Sequence, residues 1–171
     1  MQVQIDSREH KSELERIMRQ FDRMGVQYFI SKLFVGDYQS LDNARLVIDR
    51  KKDLLEICTN VTQQHERFRK ELIRAKEHGI KIIILCENGD GIETLEDVIF
   101  WENPRRKPSK WVVRDGHPVK IPESEKATNG PSLYKSLKTI SEKYDVDFQF
   151  CEKEDTGRRI VELLGGDPNG K

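Results

Sequence analysis

The run Lys81-Ile-Ile-Ile-Leu-Cys86 limits the choice of fold more than any other segment of the chain. A strand with one wet face alternates polar and apolar residues. A continuous apolar run of this length reads as a central strand covered on both sides by helices. The neighbouring segments supply such helices. Thr62 to His78 carries Phe68, Leu72, Ile73 and Ala75 at helical spacing, with Gly79 as its stop. Gly130-Pro131-Ser132 opens a second helix with Leu133, Leu137, Ile140 and Tyr144 inside, and Val146 to Phe150 alternates as a strand. Asp155 or Thr156 caps a last helix carrying Ile160, Val161, Leu163 and Leu164, ended by Gly165-Gly166.

At the other end, Val3-Gln4-Ile5 begins a short strand that runs into Asp6-Ser7-Arg8-Glu9. A helix follows, with Ser12 as expected N-cap, Glu15 at capping-box spacing and Leu14, Ile17, Met18, Phe21 and Met24 as its apolar stripe, up to Gly25. The full order is strand, helix, a three-stranded meander, then helix, strand, helix, strand, helix. That is an α/β sandwich around a mixed sheet, expected as one domain over 1–171 with a loop-rich insertion at about 88–130.

The chemistry concentrates in a hairpin. Gly36-Asp37-Tyr38 and Val47-Ile48-Asp49-Arg50-Lys51 form its arms, with Leu41 to Ala44 as the turn. Side chains alternate along a strand, so Asp49 and Lys51 share one face and Ile48 takes the other. With an odd-numbered loop centred on Asn43, Asp37 falls directly across from Asp49. Opposed like charges destabilise a strand pair. A divalent cation between the two would remove that penalty, and an adjacent lysine could hold water or a phosphate oxygen. Such a triplet is also common on solvated strand faces, and Asp37 could be a plain turn residue.

The order Asp6-x-Arg8-Glu9, then Gly36-Asp37, then Asp49-Arg50-Lys51 resembles the pattern of XPF-type structure-specific DNA endonucleases, a branch of the PD-(D/E)XK superfamily. The likeness extends through Arg67 to Leu72, Ile80 to Glu87 and Tyr134 to Leu164, and is loose over 88–130. It implies a restriction-endonuclease-like mixed sheet flanked by helices, and a phosphodiester hydrolase using Mg²⁺ or Mn²⁺. Asp37, Asp49 and Glu9 are the implied metal ligands, Lys51 the residue that orients or helps deprotonate the attacking water. Arg50, Asp6 and Arg8 complete the catalytic set, with Glu87 read as a strand-end acid. The resemblance further implies branched or flap DNA as substrate, in repair, recombination or replication. The tandem helix-hairpin-helix module that usually follows such domains is not in this sequence, so a homodimer or helper protein is the expected source of structure selectivity. Two positions depart from the pattern. Asp49 stands where the family usually has Glu, and Leu55 stands where an acid is expected beyond the lysine, with Asp53 and Glu56 nearby. The alternative is a non-catalytic DNA-binding module of the same fold serving a partner nuclease.

Charge and cysteine usage set the remaining bounds. Thirty basic and thirty acidic residues cancel, so indiscriminate coating of DNA is not expected, while local basic patches remain available. Arg67 and Arg69 lie on the exposed side of the Thr62–His78 helix, and the resemblance, which includes an arginine in this helix near the site, makes Arg67 the first candidate for a phosphate contact. Arg105, Arg106 and Lys107 sit beside Trp101 and Trp111, a mixture suited to backbone binding and base stacking. Packing of the two tryptophans onto the core is the equal alternative. Cys58, Cys86 and Cys151 have no metal-ligand spacing, and His10, His65, His78 and His117 follow no catalytic histidine pattern. No apolar run approaches the ~20 residues of a membrane span. The expectation is a soluble intracellular protein with no membrane partner, cytoplasmic or nucleoid-associated, or nuclear in a eukaryote.

Overall fold

A computed structural model describes residues 1–168, apart from His10, Gly89, Asp90, Glu123 and Glu125 and the side chains of Lys11 and Ser109. The surface or packing role expected for His10, and Gly89 and Asp90 within the turn cluster read at Asn88 to Gly91, therefore lie outside the described residues. The elements in chain order are β1 (Gln2–Ile5), α1 (Lys11–Arg23), β2 (Gln27–Ile30), β3 (Tyr38–Ser40), β4 (Asn43–Lys51), α2 (Leu54–Thr62), α3 (His65–Glu77), β5 (Lys81–Glu87), β6 (Pro108–Arg114), β7 (His117–Pro122), α4 (Gly130–Tyr144), β8 (Asp147–Cys151) and α5 (Thr156–Leu163). Short 3₁₀ turns lie at Glu96–Phe100, Pro104–Arg106 and Lys153–Asp155.

Six strands form one mixed sheet in the order β2-β1-β3-β4-β5-β8. Only β3 runs against the others, since β1–β2, β4–β5 and β5–β8 are parallel while both pairings of β3 are antiparallel. The sheet buries both faces, as the apolar run predicts. Ile82, Ile84 and Cys86 of β5 enter a core with Leu54, Phe68, Leu72, Leu133 and Leu137 from α2, α3 and α4. Ile83 and Leu85 enter the opposite core with Ile17, Phe21 and Ile160 from α1 and α5. Burying one such side chain contributes about 1.5–3 kcal/mol, so the alternation along β5 ties the two helical layers together.

Three local expectations change. The meander is absent, because α1 returns β2 parallel to β1 on its far edge and β3 pairs on the other side of β1. The helix expected over Thr62 to His78 is α3, starting at His65, and a further helix that was not expected, α2, precedes it across Gln63–Gln64. The side chain of Asp53 caps α2 by accepting the Glu56 N–H at 2.7 Å. Finally, α1 begins at Lys11, which places Ser12 inside its first turn. Within the 88–130 segment, β6 and β7 form a separate two-stranded sheet.

Candidate active site

Because β1 and β4 run the same way, their carboxyl ends and the start of β3 meet at one edge of the sheet. Ligands bind α/β sheets at the carboxyl ends of parallel strands. Asp6 to Glu9, Asp37 and Asp49 to Lys51 converge there. The β3–β4 register pairs Tyr38 with Ile48 and Gln39 with Val47. The ladder ends at Tyr38: the Asp37 N–H bonds the Ile48 carbonyl at 2.8 Å, and the Asp37 carboxylate accepts the Arg50 N–H, next to Asp49. The loop also differs from the expected one. Ser40 pairs with Asn43 around a two-residue turn, and β4 takes up the extra residues in a bulge before Val47. Gly36 enters the hairpin with φ +69, and a Cβ there would lie 3.1 Å from the Ile48 carbonyl oxygen. Glycine is the residue that meets both demands.

The two carboxylates are held, and each keeps one oxygen in reserve. Oδ2 of Asp37 accepts the Arg50 N–H at 2.8 Å, and Oδ1 of Asp49 accepts Lys51 Nζ at 2.7 Å. Among the described residues, no hydrogen bond reaches the second oxygen of either. Burial, then the Asp49 and Glu9 charges, push the Asp37 carboxyl well above its usual range, against the opposing pull of Lys51 and the Arg50 N–H. Burial alone would lower Lys51, but Asp49 and Asp37 more than offset it and hold the ammonium above its ordinary value. Lys51 is therefore a cation in this geometry.

Strand alternation sends Arg50 to the other face, toward α1. Its Nε and Nη2 donate to Glu9 Oε1 at 3.0 and 2.5 Å, and its Nη1 lies 3.3 Å from Glu87 Oε2. Glu87 also pairs with Arg16 of α1 and accepts the Thr156 hydroxyl of α5 at 2.7 Å. Arg50 and Glu87 are buried, so this chain of charges joins β4, β5, α1 and α5 behind the hairpin. Asp6 plays a different part. Oδ1 accepts the Arg8 backbone N–H and Nε, both at 2.7 Å, and Oδ2 accepts Arg8 Nη2 at 2.8 Å and the Leu33 N–H at 2.7 Å. Burial works to raise the Asp6 pKa, but these bonds outweigh it and hold the carboxyl below its usual range. Asp6 thus fixes the Arg8 side chain and the loop before β3.

Together these residues face an open cleft of about 900 Å³, lined by Arg8, Glu9, Asp37, Asp49, Arg50 and Lys51. Leu55, Asp53 and Glu56 also line it. Both acids near Leu55 take part in helix capping through one oxygen each: Asp53 accepts the Glu56 N–H, and Glu56 reaches back to the Lys52 N–H at 3.0 Å. Of the candidate DNA contacts, Arg67 and Arg105 line the cleft, and so does Lys153, which sequence reasoning missed. Lys153 comes from the far end of the chain, and its ion pair with Glu13 of α1 is a non-local contact that spacing does not reveal. Arg69 is exposed on α3 outside the cleft lining, and Arg106 and Lys107 line a separate groove with Trp101. Trp101 is 7% exposed within the α2–α4 core, so the packing alternative holds for it and its ring has no open face for a base.

The donor set suits a hard divalent cation. Two neighbouring carboxylates, each with an uncommitted oxygen, match the one or two carboxylates by which Mg²⁺ is usually held. Among the described residues, no cluster of three His, Cys, Asp or Glu is arranged as a complete ligand set. Water and phosphate oxygens would have to fill the rest of the shell. No helix among the described residues is long and apolar enough to cross a membrane.

Comparison with known proteins agrees with this architecture. An XPF structure from Aeropyrum pernix superposes with a TM-score of 0.62 at 19% identity, covering 96% of this chain and 63% of the other. The same organism's XPF in complex with DNA gives 0.60 at 20% identity, covering 95% and 62%. The chain thus spans somewhat under two thirds of the solved proteins it matches, and the likeness establishes the fold. Among curated proteins none matches the sequence significantly. Residues 5–163 match the ERCC4 domain, and the chain belongs to that family.

Proposed function

We propose that this chain is a metal-dependent DNA endonuclease that hydrolyses phosphodiester bonds in branched or flap DNA. The observation that carries the reading is the closeness of Asp37 to Asp49 beside a buried, charged Lys51 at the mouth of an open cleft. Asp37 and Asp49 would hold Mg²⁺ or Mn²⁺, with Glu9 adding negative charge beside Arg50. When bound, the ion supplies Lewis-acid stabilisation of the charge that develops on the phosphoryl oxygens. The chain's own groups do the positioning. Lys51, tethered by Asp49, orients the attacking water and balances charge in the transition state. Arg8, aimed by Asp6, brings its guanidinium to the scissile phosphate, while Arg50, buried between Glu9 and Glu87, holds Glu9 at the cleft. Arg67 and Arg105 on the far wall contact flanking phosphates. Membership of the ERCC4 family and the DNA complex of the Aeropyrum pernix XPF support DNA as the substrate. A homodimer or helper protein would supply selectivity among branched forms.

The test is cleavage of labelled flap, fork, single-stranded and duplex DNA with Mg²⁺, Mn²⁺ or EDTA, beside Asp37→Asn and Lys51→Ala. Metal-dependent cutting lost in both variants supports the nuclease. DNA binding without cutting under every condition would replace it with a non-catalytic binding module.

A further inference from the structure

The hairpin β6–β7 takes no part in the main sheet, and the proposed cleavage chemistry does not use it. Its strands pair only with each other, Trp111 against Lys120 and Arg114 against His117, around Asp115-Gly116. Both turn residues have positive φ, 51 and 79, as a tight two-residue hairpin turn requires. Most of its side chains stand in solvent. Trp111 is 63% exposed and Val113 75%, an unusual display of apolar surface on two strands that bury little else. Two features identify what would cover it. From Pro104 to Pro122 six Lys or Arg stand against a single acid, in a chain whose total charge is zero. Lys120 Nζ also sits 5.2 Å from the centre of the Trp111 ring, so an aromatic platform and a cation are presented together. A protein partner would be met by the apolar residues alone; a polyanion with flat bases is met by both sets.

The hairpin is also joined to the cleft. Arg105, three residues before β6, lines the cleft wall, and its carbonyl accepts the Ser124 N–H at 2.9 Å from just beyond β7. Both legs of the hairpin therefore spring from the cleft margin. We propose that β6–β7 is a grip for unpaired DNA: a base stacks on Trp111 while Lys120, paired with it on the same face, takes a neighbouring phosphate. It would hold the single strand that leaves the cleft at a branch point. This rests on the nuclease reading for its biological sense, but the binding it asserts is independent of cutting.

The experiment is fluorescence titration of the full chain with a single-stranded oligonucleotide and with a blunt duplex, in EDTA. Trp101 is buried, so quenching reports on Trp111. Single strand should quench emission and duplex should not. Trp111→Ala should weaken single-strand affinity about tenfold, the scale of one lost base-stacking platform. Trp111→Phe keeps a stacking ring and should restore most of the affinity, which a merely unfolded hairpin would not allow. Replacing Lys120 by Ala should flatten the salt dependence, the lost phosphate contact removing about 0.7 from the logarithmic slope. Equal quenching by duplex, unchanged affinity in Trp111→Ala, or a concentration-dependent dimer dissolved by that substitution would each overturn the proposal, the last in favour of a protein interface. Wild type that grips single strand through Trp111 but cuts no DNA would uphold the grip and remove the nuclease. Cutting that is indifferent to Trp111, with unchanged KM, would do the reverse.

Discussion

Among the described residues stand two antiparallel hairpins, and they are opposites. The β3–β4 hairpin is embedded in a six-stranded sheet with Ile48 and Tyr38 fully buried. Its charged residues at the cleft are each fixed by a named partner. The β6–β7 hairpin stands apart, shows its apolar side chains to solvent, and keeps its strands together mainly by its own ladder. An isolated two-stranded hairpin is marginally stable in water. One hairpin therefore trades reach for precise placement, and the other trades stability for reach. Chemistry at a phosphorus atom needs the first, while following a flexible strand of nucleic acid suits the second.

The largest effect expected separates the two outright. Asp37→Asn should lower DNA cleavage by about a thousandfold or more, since it removes half of the metal-holding pair. Quenching of Trp111 by single-stranded DNA should be untouched. The same variant should be more resistant to heat than wild type without metal, because a like charge is gone from beside Asp49, and it should lose any stabilisation by Mg²⁺ or Mn²⁺. A thermal-melt series with and without the ion decides this, and a metal-induced shift equal to that of wild type would contradict the site.

Next in size is Arg50→Ala, which strands Glu9 and Glu87 as buried acids without their shared cation. A loss of about 3–5 kcal/mol is expected in urea unfolding, as for other broken buried pairs. Gly36→Ala should cost about 1–3 kcal/mol through its positive φ and the approach of the Ile48 carbonyl. Gly116→Ala has the same backbone problem in the free hairpin, yet nothing lies within 4 Å of its Cβ. Global stability should hardly change there, while amide exchange in β6–β7, expected to be fast relative to β4 and β5, should become faster still. Equal losses at the two glycines would show that the second hairpin is integrated in the core after all.

The smallest expected effect is a pH trend. Asp6 has its carboxyl held below the ordinary value, so it stabilises the fold fully above the unfolded pKa of 3.8. That contribution should fade as pH drops through and below this value. In Asp6→Asn the slope of stability against pH in that window should be shallower, as measured by urea titration at several pH values.

These contrasts also show what the amino-acid order can reveal. The double burial of β5 was legible because a strand with one face in water cannot carry five apolar residues in succession. The closeness of Asp37 and Asp49 was legible too, although neither the turn nor the pairing is the one the spacing suggests. Strand order was not legible: nothing local tells β3 to pair on one side of β1 while β2 takes the other. Helix α2 was hidden because Thr59, Asn60, Val61 and Thr62 are weak helix formers. In the fold, the Thr59 and Thr62 hydroxyls bond back to the Leu55 and Cys58 carbonyls within the helix. The hairpin β6–β7, read as part of a loop-rich insertion, was missed although Asp115-Gly116 between Trp111-Val112-Val113 and Val119-Lys120-Ile121 is a strong short-range hairpin signal. The Arg50–Glu87–Arg16 chain joins three distant segments and has no signature in any one of them.

The bulge in β4 has a consequence for how relatives of this chain are recognised. It lies between the exposed turn and the ladder that sets Tyr38 against Ile48, so slack at the tip is absorbed before it reaches the acids. The number of residues between Gly36-Asp37 and Asp49-Arg50-Lys51 is thereby uncoupled from the geometry those motifs create. Insertions or deletions at the tip can accumulate without a frameshift in the third dimension. A search pattern with a fixed gap between the two motifs would discard sequences whose acids still meet.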